Sequence, residues 1–224
     1  MSTAVGLQDG QSSPRVWLGL LAVFLVIFGL YSTLYLVLAL WVVVFLLRAR
    51  LAALAAFLPG EYGFFAAALV FGLLTESFAV LTNMSRSPSE RILLSPDPLR
   101  DPALSAICCS AVAVTWLLLL RRFAYRGRDI FLISGVYGVL VEETGQAAVR
   151  VMTFSLLGPL YAGFVLVVYG VPPMLALMVA GGRFSDGRAA PGLGARAGAL
   201  IALLAQYAIV GLFVLPLARS AIGS

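Results

Sequence analysis

Residues 129–150 read DIFLISGVYGVLVEETGQAAVR, and whether that stretch lies in water or in lipid decides the fold. No side chain from Ile130 to Val141 is charged. As a helix the stretch is about 32 Å long, close to the ~30 Å hydrocarbon core of a bilayer. It therefore reads as a membrane span, yet Glu142 and Glu143 stand inside it, with Gln146 and Arg150 within two further turns. Ionisable groups at that depth cost about 2.5 to 3.5 kcal/mol each on insertion scales, so they are kept where they bind, gate or catalyse something.

The surrounding composition agrees. Of 224 residues, 62% are hydrophobic and 11% charged, and the mean hydropathy of +1.03 belongs to a membrane protein. All 15 basic residues are arginine, and histidine is absent. Histidine metal sites, Ser/His/Asp triads, Cys/His dyads and Schiff-base lysines are thereby excluded. Cys108 and Cys109 are adjacent in an apolar run, which suits neither a disulfide nor a metal ligand set. No metal or cofactor is expected. The net charge of +5 comes from arginines at the ends of apolar runs, so lipid headgroups and not nucleic acid are the expected partner.

Outward from the opening stretch, the chain divides into a polar tail at 1–15, expected to be disordered, and one transmembrane domain at 16–224. The fold expected is an all-α polytopic bundle of about six spans, near 16–47, 62–83, 103–120, 130–150, 156–180 and 197–218. The first apolar run is long enough for one tilted helix and short for two; Arg48 and Arg50 end it, and 51–58 reads as a short interfacial segment stopped by Pro59-Gly60. Arg121, Arg122, Arg126 and Arg128 crowd the connection between the third and fourth spans. By the positive-inside rule that connection is cytoplasmic, and its arginines are expected to meet anionic headgroups. The fifth span contains Gly170 and Pro172-Pro173, which predict a hinge with a kink, local unwinding or a full break. The expected location is the cell membrane, as a multi-pass protein of a prokaryotic inner membrane.

Setting 71–76 over 137–142 aligns Phe-Gly-x-Leu-x-Glu with Tyr-Gly-x-Leu-x-Glu. That match suggests a parallel repeat of two-helix units, with Glu76 and Glu142 at similar depth. Gly135, Gly138, Glu142 and Gly145 fall on one helical stripe, and Gly72, Glu76, Ala79 and Asn83 on another. Packing these two faces together would bring Glu76 to Glu142. Glu143 would lie about 100° away, paired with Arg150 directly or through Gln146.

The binding candidates are thus Glu76, Asn83, Glu142, Glu143, Gln146 and Arg150; no catalytic residue is assigned. Acids and a hinge without a nucleophile favour a proton- or cation-linked small-solute transporter or ion pathway. The alternatives are a membrane enzyme using glutamate acid/base chemistry on a lipid or isoprenoid, and a non-catalytic subunit. The ligand would be a small solute, an ion or a lipid, and homo-oligomers are compatible with the pattern.

Overall fold

The computed structural model describes residues 36–87, 100–152, 157–180 and 187–222, with isolated positions at 18, 19, 21, 23, 91, 94, 95 and 97. The expected tail and most of the first half of the expected span 16–47 lie outside the described residues. Eight α-helices and no strand occur among those described: α1 Leu36–Leu54, α2 Gly60–Met84, α3 Asp101–Arg122, α4 Gly127–Val141, α5 Gln146–Met152, α6 Leu157–Ala180, α7 Leu193–Ile209 and α8 Leu215–Ile222. Five transmembrane-length apolar elements result, with α7 and α8 joined through a π-helical turn at Val210–Val214. Pro216 cannot donate to the carbonyl four residues back, which accounts for a widened turn just before it. The stretch expected as the fourth span, 130–150, is instead two shorter helices, α4 and α5.

The chain is thus an α-helical bundle of transmembrane type, as its hydropathy predicts. Its boundaries differ in one instructive place. α1 does not stop at Arg48 and Arg50 but runs through both to Leu54 and a 3-10 turn at Ala55–Phe57. No glycine or proline interrupts residues 36–58, and arginine is a good helix former whose long stem lets its charge leave the lipid. The separate interfacial segment is therefore absent, and Pro59 is the first residue that stops the helix.

α6 is the central element. Its most extensive contacts are with α4 and α2, and it also packs on α1 and α5. Backbones approach closely along it because small residues face the neighbours on both sides. A Cβ on Gly135 of α4 would lie 2.7 Å from the Leu166 carbonyl oxygen, and one on Gly170 of α6 would lie 2.5 Å from the Phe131 carbonyl oxygen. These reciprocal glycines let van der Waals packing hold two helices in lipid, where apolar burial gives no drive. α6 is one unbroken helix through Pro172 and Pro173, so the unwinding expected there is not found. Both prolines are buried, and proline is tolerated inside a span whose neighbours enclose it.

The arginine-rich end is built as a rigid cap. Asp129 accepts the Arg126 backbone N–H (3.0 Å) and lies 3.2 Å from Nε of Arg196, at the start of α7. Tyr125 is buried, donates to the Ala195 carbonyl (2.8 Å) and meets Trp116 edge-on at 5.5 Å. Burial and the neighbouring Asp129 carboxylate push its phenol above the ordinary tyrosine range. Trp116 is wholly buried and donates Nε1–H to the Ser134 hydroxyl at 2.9 Å, tying α3 to α4. Trp116→Phe is expected to cost about 2 kcal/mol through the lost bond and lost volume. A lower unfolding midpoint in detergent reads this, with outward-facing Leu118→Ala as the nearly neutral comparison.

Candidate functional site

The fourth span breaks at its acids. α4 ends at Val141, and residues 142–145 form a short 3-10 turn in which Glu143 (φ 47°, ψ 40°) and Thr144 (φ 58°, ψ 37°) are left-handed and Gly145 has φ 91°. Left-handed backbone costs an L-residue roughly 1 to 2 kcal/mol, and more for β-branched threonine. Glycine supplies the third position without that penalty. The Thr144 hydroxyl donates to the Glu143 carbonyl at 2.6 Å, which satisfies one acceptor opened by the break.

Side chains from α6 hold the turn in place. Tyr169 Oη–H donates to Glu142 Oε2 at 2.6 Å, and Tyr161 Oη–H donates to Glu143 Oε1 at 3.1 Å. The other Glu143 oxygen pairs with Arg150 Nη2 at 2.6 Å, and the Arg150 guanidinium lies 5.0 Å from the Tyr161 ring centroid. Glu143, Tyr161 and Arg150 therefore close a triangle at the α5 end. Glu143 is 18% exposed and Arg150 47%. Their tyrosines are eight residues apart on α6, about 12 Å along its axis, so the two adjacent glutamates serve different levels of the bundle. From Tyr169 a row of rings continues edge-on through Tyr137 at 6.1 Å to Tyr207 at 6.4 Å.

The glycine-face expectation needs correction. Gly135 and Gly138 pack on α6, against Leu166 and Tyr169, and Gly72 packs on α3, where an added Cβ would lie 2.7 Å from Cys109 Sγ. The two stripes thus face different helices, because each glycine seats the second helix of its own two-helix unit. Gly145 left the stripe when the helix broke. No hydrogen bond joins Glu76 to Glu142 among the described residues; α2 and α4 each pack on α6.

Other candidates separate cleanly. Thr75, Ser77 and Asn83 each donate to the carbonyl four residues earlier on α2, whereas Glu76 makes no hydrogen bond or ion pair among the described residues. Gln146 is exposed at the start of α5 and does not mediate the Glu143–Arg150 contact, which is direct. The phenols of Tyr161 and Tyr169 escaped the sequence reading, although two tyrosines on one side of an apolar helix are a readable signal. Asp101 escaped as well: buried at the start of α3, it accepts the Leu94 and Ser95 N–H groups at 2.5 and 3.0 Å. Ser105 Oγ on α3 and Gln206 Oε1 on α7 are buried without a partner among the described residues.

Five long apolar helices define the chain as a multi-pass α-helical protein of membrane type, with a broken helix at Glu142–Gly145 packed against them. No protein-family model, curated protein or solved structure matches the chain.

Proposed function

We propose that the protein is a proton- or cation-linked small-solute transporter or ion pathway that loads its ion at Glu142. The observation that carries this reading is the break in the fourth span, where a helix C-terminus and two carboxylates meet inside an apolar bundle. The end of α4 leaves carbonyls facing the break and carries the negative end of the helix dipole, both of which favour a cation. Unwound backbone at membrane depth is tolerated where protein encloses it, and discontinuous helices serve as ion sites in several transporter folds. Tyr169 positions the Glu142 carboxyl, and Glu76 offers a second acid on α2, which also packs on α6. In this scheme Glu143 and Arg150 form the gate at the α5 end, opened by parting the ion pair and the Tyr161 bond.

The test is Glu142→Gln in proteoliposomes that trap a pH dye, run with sodium, potassium and proton gradients. Wild-type protein should show flux with at least one gradient, and the variant should lose at least tenfold of it. Infrared difference spectra taken across the same gradient should lose a carboxyl band in the variant. Unchanged flux and an unchanged band would overturn the reading.

A further inference from the structure

The four arginines of the connection between α3 and α4 divide into two kinds. Arg121 is committed to protein: its Nε donates to Glu61 Oε1 at 2.9 Å and its Nη2 pairs with the other Glu61 oxygen. Arg122, Arg126 and Arg128 are exposed, and none of their guanidinium groups makes an ion pair among the described residues. They occupy the last position of α3, the position before α4 and its second residue. Three exposed guanidinium groups with no ion pair among the described residues thus share seven residues of chain at the place where two apolar helices end.

This segment is held rigidly from beneath. Besides the Tyr125 and Asp129 anchors, the Ala124 N–H donates to the Ala189 carbonyl at 3.0 Å, and Arg188 Nη1 donates to the Leu120 carbonyl at 2.6 Å. Phe123 packs edge-on against Tyr125 at 6.0 Å. A loose basic loop would meet a charged surface diffusely. A fixed one presents the same three donors to a single ligand with less conformational entropy to lose. Guanidinium groups suit phosphate because their N–H groups match its oxygens in pairs.

We infer that Arg122, Arg126 and Arg128 form a discrete binding site for the phosphate headgroup of an anionic phospholipid in the cytoplasmic leaflet. Membrane depth favours lipid over soluble phosphate, since the acyl chains would lie along the apolar spans that end at this connection. Each arginine near an anionic surface contributes about a fivefold gain in binding, and the three together about a hundredfold. Arg121 stands outside the site because Glu61 neutralises it.

Native mass spectrometry of the full chain in detergent, with phosphatidylglycerol and phosphatidylcholine supplied together, tests the site. Wild-type protein should retain one phosphatidylglycerol selectively. R122Q/R126Q/R128Q should lower that preference about a hundredfold and each single variant about fivefold, with R121Q remaining near wild type. Retention by the triple variant equal to wild type would overturn the site, as would a loss in R121Q as large as in the triple. The single variants preserve the test should the triple variant fold poorly. None of these outcomes depends on whether the protein transports anything.

Discussion

Gly158→Ala is expected to abolish recovery of folded protein. A Cβ at this position would fall on the carbonyl oxygen of Arg150 and lie 2.7 Å from its carbonyl carbon and 3.3 Å from the Val151 nitrogen. All three are backbone atoms, so no rotamer change relieves the overlap. Either α5 or α6 must move bodily, which would pull Arg150 from Glu143 and Tyr161. The cost should exceed about 3 kcal/mol, the upper part of the range for overpacking. Size-exclusion chromatography of a fluorescent fusion reads the outcome as loss of the monodisperse peak. Gly163→Ala, on the same helix with nothing within 4 Å of its added Cβ, should behave as wild type. A normal peak for Gly158→Ala would show that α5 does not cross α6 as described.

The second large effect joins packing to the site. A Cβ on Gly138 would overlap the Tyr169 ring and lie 2.5 Å from the Tyr169 Cβ, close to the root of the side chain, where flexibility is least. Gly138→Ala should therefore destabilise by about 2 to 4 kcal/mol and drive the phenol away from Glu142. Combining it with Tyr169→Gly, which removes the Cβ as well as the ring, should remove most of the added penalty, a strong departure from additivity. Unfolding midpoints of the four proteins in the cycle measure this. Additive penalties would mean that Gly138 matters through some contact other than Tyr169.

Hydropathy made the helices legible because lipid leaves a long apolar chain few alternatives. The Glu143–Arg150 pair was legible too, since two opposite charges seven residues apart in one span must find each other or leave the membrane. The break was not. Helical spacing presumes a helix, and placing Glu142 and Gly145 on one stripe extended that assumption across the residues where it fails. Gly145, just beyond the acids, is the kind of residue that ends helices in a left-handed turn, and Thr144 before it is a poor helix former. Pro172 and Pro173 carried the louder signal for a break, yet they sit in a continuous helix enclosed by neighbours. Glu142 and Glu76 were singled out by charge alone. Their packing partners were not, because periodicity shows that a glycine face exists without showing which helix fills it.

α4 is only 15 residues long, about 22 Å of helix, and cannot reach across ~30 Å of hydrocarbon by itself. The residues that complete the crossing carry two acids whose tyrosines belong to α6, which is synthesised later. The stretch 127–152 therefore depends on Tyr161 and Tyr169 of α6 to hold its acids. It is complete only with α6 in place, where Gly158 packs on the Arg150 carbonyl.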